Sequence, residues 1–287
     1  MPSYLCESML GAVSEADGDV QYYEVGYDLD IPDGNWVDGI QPGDLVVLID
    51  YFGFATSSAI AARVKARGAW ILADACQSLL SQNEHVDSDF ILFSPRKFVG
   101  VPDGGILRCN THSILDVALE QSPVRWWKKA LEASIQRREF DRHGGSRRWF
   151  DIRREADSEH PVGPYAMSQL SERLLRFGFD YCRIASRRVE NYGSLLTSLA
   201  DLALFPNLPS GAVPLGFPIR VARRDEIRQV LFEHSIYPPV HWPIGDIIPN
   251  RFADSHRLAS EILMLPCDQR YTPRHMTYIA EVVLGAV

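Results

Sequence analysis

Two short apolar runs, WILA at 70–73 and FILF at 90–93, constrain this chain more than any other feature. Neither alternates with polar residues, so each reads as a strand buried on both faces of a parallel sheet. Both stop at residues that carry chemistry: Asp74 and Gln77 after the first, Ser94, Arg96 and Lys97 after the second. Ligands of open α/β sheets bind in the crevice outside the carboxyl ends of the strands. An acid from one strand end and a lysine from the next therefore face one crevice. Pyridoxal phosphate (PLP) needs a lysine amine for a Schiff base and an acid for its pyridinium nitrogen. Its phosphate needs hydroxyl or amide donors, and Ser94 supplies a hydroxyl. The plain alternative is a set of solvated surface charges, the usual state of Asp and Lys.

The rest of the chain fits an α/β fold with a mostly parallel sheet and a smaller C-terminal α+β domain. LVVLI at 45–49 predicts a further buried strand, closed by YFGF at 51–54. Residues 55–67 predict an Ala-rich helix with Gly68 as its C-cap. Residues 7–15 predict a helix, 19–25 a strand, and 105–108 a strand returning after the turn of Asp103, Gly104 and Gly105. Residues 165–199 predict one long helical stretch, with Leu170, Leu174, Leu175 and Phe177 on an apolar stripe. Beyond the Pro/Gly loop at 206–214, a strand is predicted at 215–221 and helices at 225–234, 254–262 and 273–284. The division is then 1–122 for the large α/β domain, 123–205 for a helical connection and 206–287 for the small domain.

Composition removes several classes. Lys and Arg total 29 against 37 Asp and Glu, a net charge of −8, which favours neither nucleic acid nor an anionic membrane as partner. Residues 125–154 hold ten Arg or Lys among three tryptophans, yet Glu132, Glu139, Asp141 and Asp151 lie between them. A salt-bridged helix with aromatics turned inward accounts for that pattern better than a nucleic-acid surface. A contact of some of these arginines with the diphosphate of a nucleotide-linked ligand is a looser reading. Five scattered cysteines without C-x-x-C spacing indicate a reducing, cytoplasmic setting and no zinc site. The histidines show no metal-ligand spacing, and G-x-S-x-G and a Gly-rich first turn are absent.

ADACQS at 73–78 resembles the D-x-x-Q/H element of the DegT-type sugar aminotransferases, a branch of the fold-type I PLP enzymes. FSPRKFVGVPDGG at 93–105 is similar to their Schiff-base lysine segment. GPYAMSQLSERLL, RRVENYGSLL and EILMLPCDQRY resemble their dimer-helix and C-terminal elements. The resemblance implies an aminotransferase that carries an amino group from an amino acid such as glutamate to a nucleotide-linked keto sugar. It also implies a homodimer acting on small molecules. Lys97 would form the Schiff base, Asp74 would hold the pyridine nitrogen protonated, and Gln77 would bond the ring hydroxyl. Ala75 would pack beneath the ring, Ser94 would meet the phosphate, and Arg96 would be a second phosphate contact or a surface charge. His241, beside Trp242, falls where the family has a His-aromatic pair near substrate.

Departures from the pattern accompany these matches. The family's ring-stacking aromatic aligns with Cys6, and Tyr4, two residues away on the same face of an extended chain, is the expected substitute. Pro164 and Ala166 stand where the family has an Asn and an Arg supplied across the dimer. The retained lysine argues against the dehydratase variants, which carry histidine there. The family pattern also places a phosphate-binding helix N-terminus ahead of Met1. The alternative expectation is therefore a shortened, non-catalytic member.

Overall fold

The computed structural model describes residues 1–32, 34–55, 58–83, 85–111 and 117–287. Helix α1 (Ser8–Glu15) leads to strand β1 (Leu45–Ile49), helix α2 (Ser58–Ala66), and strands β2 (Trp70–Asp74), β3 (Phe90–Phe93) and β4 (Ile106–Cys109). These strands form one sheet in the order β1-β2-β3-β4. The first three run parallel and β4 returns antiparallel to β3. Ile49 stands beside Asp74, and Asp74 beside Leu92, so the carboxyl ends of three strands finish level. That register places residues 74–77 and 94–97 on one rim.

The apolar runs form strands because both faces are covered. Val46 to Ile49 are buried, and Ile71 and Ile91 have no exposed surface. Gly68 ends α2 at φ 77°, the left-handed conformation that a C-cap glycine adopts. Residues 56–57, at the start of that predicted helix, lie outside the described residues. The strand predicted at 19–25 does not form, and only an isolated bridge joins Tyr23 to Pro2. Two backbone bonds to residues 1–3 and the Tyr23 side chain hold this segment. The Tyr23 hydroxyl donates to the Val47 carbonyl at 2.7 Å, and its ring stacks on Trp36 at 4.3 Å between centroids.

Strand β5 (Glu120–Gln121) precedes helices α3 (Val124–His143) and α4 (Arg148–Ser158), and strand β6 (Tyr165–Ala166) pairs back with β5. Gly144 and Gly145, at φ 70° and 104°, turn the chain between the two helices. Trp126 is buried, its indole donating to the Ala156 carbonyl at 2.7 Å. Ion pairs Arg137–Asp141 at 2.7 Å, Arg153–Asp157 at 2.8 Å and Lys129–Glu159 at 2.8 Å lace the outside. Exposed pairs of this kind add little to stability, as on a solvated helical hairpin.

The long helix predicted at 165–199 is two helices, α5 (Gln169–Phe177) and α6 (Tyr181–Leu199). Gly178 closes α5, and the Asp180 carboxylate caps α6 by accepting from the Arg183 amide at 2.9 Å. Strand β7 (Phe217–Arg220), helices α7 (Arg224–Glu233) and α8 (Ala253–Glu261), strand β8 (Ile262–Leu265) and helix α9 (Pro273–Ala286) complete the chain. β7 and β8 pair antiparallel. The helix predicted at 254–262 gives way to β8 one residue early, because ILML buries on both faces against β7. One continuous cluster of buried side chains includes Tyr4, Ile49, Tyr192, Leu195, Phe217, Leu263 and Val283. It takes in residues from both sides of the 206–214 loop, so the three sequence sections share a core. Among the described residues no helix is long and apolar enough to cross a membrane.

Candidate active site

The turn after β2 presents three side chains in different ways. Asp74 is buried, and its Oδ1 accepts from the Cys76 amide at 2.9 Å. Its Oδ2 has no hydrogen-bond partner among the described residues. Gln77 is also buried. Its Oε1 accepts from the Phe52 amide at 2.6 Å, while its Nε2 is enclosed without a partner. An unpaired buried donor costs on the order of 1–3 kcal/mol, so its retention points to a ligand.

Ala75 is covered in this structure. It has no exposed surface and packs with Ala73, Ile91 and Phe93 against the sheet. The neighbouring Cys76 borders the crevice instead. Burial pushes its thiol up, the Asp74 charge adds to that, and the Lys97 charge opposes it. Cys6 is close enough to Cys76 to act on it electrostatically.

The turn after β3 is a single 3-10 turn, Pro95–Lys97, in which the Lys97 amide donates to the Ser94 carbonyl at 3.2 Å. The Lys97 side chain is exposed and makes no hydrogen bond or ion pair among the described residues. In contrast, Lys65 pairs with Asp89 and Lys129 with Glu159, each at 2.8 Å. The Ser94 hydroxyl is also without a partner among the described residues. Arg96 turns toward α4, 3.8 Å from Asp157. Burial and the Arg153 charge lower its pKa, with Asp157 and Asp103 opposing.

Tyr4 packs into the core beside Trp242. It has no exposed surface, and its ring lies between Tyr51 and Trp242 at centroid distances of 5.9 and 5.6 Å. Its hydroxyl donates to the His241 carbonyl, and its own carbonyl accepts from the Tyr51 hydroxyl at 2.5 Å. A ring enclosed on all sides offers no face for stacking. Tyr4 braces His241 instead. The His241 imidazole has its pKa lowered to about 4, first by burial and then by the Lys97 charge. Its Nδ1 is enclosed without a partner.

Several contributors carry no motif. Phe52 sits at φ 56° and Gly53 at φ 103°, and a Cβ on Gly53 would overlap the Val213 carbonyl. This tight turn delivers the Phe52 amide to Gln77, and only the glycine in YFGF signals it. Asp103, the acid that ends the lysine segment, lies away from the crevice function. It is buried, accepting from the Ser168 amide at 2.7 Å, the Ser168 hydroxyl at 2.6 Å and the Ser171 hydroxyl. It therefore docks the N-terminus of α5. A cleft of about 360 Å³ lined by Phe54, Asn83, Phe205 and Pro209 is separate from the Lys97 rim.

The chain carries a three-stranded parallel array with an antiparallel return strand, and a lysine one turn beyond the third strand. Solved structures of sugar aminotransferases share this fold over nearly the whole chain. Helicobacter pylori PseC, an aminotransferase involved in the biosynthesis of pseudoaminic acid, superposes with a TM-score of 0.71 at 14% identity, covering 99% of this chain and 78% of its own. S. venezuelae DesV, solved in complex with a ketimine intermediate, gives 0.68 at 18% identity, covering 99% and 76%. A DegT DnrJ EryC1 StrS aminotransferase from Brucella abortus gives 0.67 at 16%, covering 99% and 78%. No family model and no curated protein matches the sequence.

Proposed function

We propose that this chain is a PLP-dependent aminotransferase that transfers an amino group from an amino acid, glutamate by the resemblance, to a nucleotide-linked keto sugar. One observation carries the reading: the ends of β2 and β3, together with the loop that holds His241, carry groups whose bonding capacity is unspent. These are the Lys97 amine, Asp74 Oδ2, Gln77 Nε2 and His241 Nδ1. They match an aldehyde, a ring nitrogen, a ring hydroxyl and a polar substrate respectively, so the residues present fit PLP. Ser94 offers a free hydroxyl to the phosphate, while Arg96 must loosen its contact with Asp157 to join it.

When bound, PLP supplies the electron sink that stabilises negative charge at the substrate carbon. The protein does the rest. The Asp74 carboxylate would hold a proton on the ring nitrogen, and Gln77 Nε2 would donate to the ring hydroxyl. The Lys97 amine would hold the cofactor and, when free, would act as general base and acid, taking the proton from the substrate carbon. His241, neutral at physiological pH because of its burial, offers substrate a hydrogen bond without charge. Cys6 and Cys76 border the slot where an aromatic and a small residue would otherwise lie.

The same reading includes a cytoplasmic homodimer in surface polysaccharide or natural-product biosynthesis. Phe177, 84% exposed at the end of α5, and the exposed apolar residues Ile106 and Leu107 of β4 support a partner surface. The cysteines are all free, which supports a reducing compartment.

The deciding experiment is absorbance of the purified chain titrated with PLP, followed by borohydride reduction and peptide mapping, beside Lys97→Ala. The expected result is a PLP adduct on the Lys97 peptide that the variant lacks. A folded protein that takes up no PLP, or fixes it equally in the variant, refutes the catalytic reading and favours a non-catalytic chain.

A further inference from the structure

The turn that carries Lys97 is held from behind by residues far away in sequence. Phe98, the next residue, is 2% exposed, and two groups fix it. The Gln269 Nε2 donates to its carbonyl at 2.7 Å, and the Arg188 guanidinium lies over its ring at 4.7 Å. Arg188 and Gln269 are themselves joined, Nε donating to Oε1 at 2.9 Å. Arg188 is 2% exposed, and burial is the first cause lowering its pKa, with the Asp268 charge opposing. A buried guanidinium is expensive unless its donors are met. Here Nη1 donates to the carbonyls of Pro214 at 3.1 Å and Leu215 at 2.9 Å.

Those carbonyls lead to the other side of the site. The Leu215 amide donates to the Phe52 carbonyl at 2.8 Å, and the Phe52 amide donates to Gln77 Oε1 at 2.6 Å. Arg188 thus stands in one hydrogen-bonded frame with both the lysine turn and the Gln77 amide. Asn191, one helical turn along α6, secures the arm that presents Gln269. Its Nδ2 donates to the carbonyls of Cys267, Asp268 and Tyr271 at 3.2, 3.1 and 3.2 Å.

We infer that Arg188 and Gln269 are positioning residues that set the place of the Lys97 amine relative to Gln77 and Asp74. This inference rests on the PLP reading for its purpose. Its geometry stands apart from that reading. Neither residue touches the crevice groups, so they act through Phe98 and Phe52. A backbone shift of one ångström at a 3-10 turn moves the lysine amine by at least as much, and reacting groups tolerate little displacement.

Gln269→Glu is the discriminating variant: it keeps an acceptor for Arg188 Nε and removes the N–H that reaches the Phe98 carbonyl. Arg188→Lys keeps the charge but loses the fork and the flat stacking surface. Leu231→Ala, a fully buried change in α7, is a control for lost stability alone. Three quantities are measured for each: urea stability, the rate at which an amine reagent labels Lys97 relative to Lys65, Lys128 and Lys129 without PLP, and the dissociation constant for PLP. Gln269→Glu and Arg188→Lys are expected to change relative Lys97 labelling at least threefold and to weaken PLP binding about tenfold. Leu231→Ala is expected to lower stability and change neither. Wild-type labelling in both clamp variants, or changes that merely track lost stability as in Leu231→Ala, overturn the inference. If Arg188→Lys does not fold, Gln269→Glu decides alone. If wild type fixes no PLP on Lys97, the PLP reading fails while the labelling comparison still decides the clamp.

Discussion

His241 gives the chain an acid sensitivity that can be worked out in advance. Its imidazole pKa falls from about 6.5 unfolded to about 4 folded, through burial and then the nearby Lys97 charge. Between those values the unfolded chain binds a proton that the folded chain refuses. Stability therefore falls as pH drops from about 6.5 toward 4 and changes no further below that. The full shift corresponds to roughly 3 kcal/mol, and the part between pH 7 and pH 5 to about 2 kcal/mol. Urea unfolding at pH 7 and pH 5, for wild type and His241→Gln, isolates this contribution, since other titrating groups are common to both. Wild type is expected to lose about 2 kcal/mol more than the variant over that interval. In Lys97→Met the wild-type loss should shrink, because the second cause of the shift is gone. Equal pH dependence in wild type and His241→Gln would refute the buried, neutral imidazole and with it the uncharged contact assigned to substrate.

Two further substitutions test other parts of the frame. Gln77→Leu orphans the Phe52 amide and removes the free Nε2, so it should cost about 1–3 kcal/mol in urea unfolding and weaken PLP binding by roughly fivefold or more. Unchanged PLP affinity by equilibrium dialysis would remove Gln77 from the site. Asp103→Ala leaves the Ser168 amide and two serine hydroxyls without their acceptor, an expected loss of about 3 kcal/mol. Loss of helical circular dichroism at lower urea concentration than wild type is the readout, and an unshifted transition would contradict the docking role.

The central strands were legible because burial on both faces leaves a mark in sequence: unbroken apolar runs at 45–49, 70–73 and 90–93, each closed by polar residues. The rim followed from the same runs, which put residues 74–77 and 94–97 at the ends of neighbouring strands. Where the chain relies on side chains instead of a ladder, pattern failed. The 19–25 segment has strand-like residues, yet it makes only a single bridge to Pro2 and is completed by the Tyr23 hydroxyl and ring. At 262–265 an apolar run that continues a helical pattern becomes β8, because β7 offers it a partner. Tyr4, the expected substitute for the aromatic aligned with Cys6, and Ala75 were expected at the crevice by resemblance, and their exposure depends on what packs around them. Tyr51 and Trp242 enclose the first, and Ile91 and Phe93 cover the second.

The sequence by itself determined the parallel strands, the order in which they meet the rim, and which reactive side chains stand there, since these depend on local apolar pattern and residue type. Only the tertiary structure decided which bonding capacities remain unspent and what holds them in place. Gln77 keeps a free donor because Phe52, 25 residues away, takes its acceptor. Lys97 has its place because Arg188 and Gln269 meet at Phe98 across 90 and 171 residues of chain. Hydrogen-bond satisfaction and burial are properties of neighbours in space, and chain separations of this size leave no periodicity from which to read them.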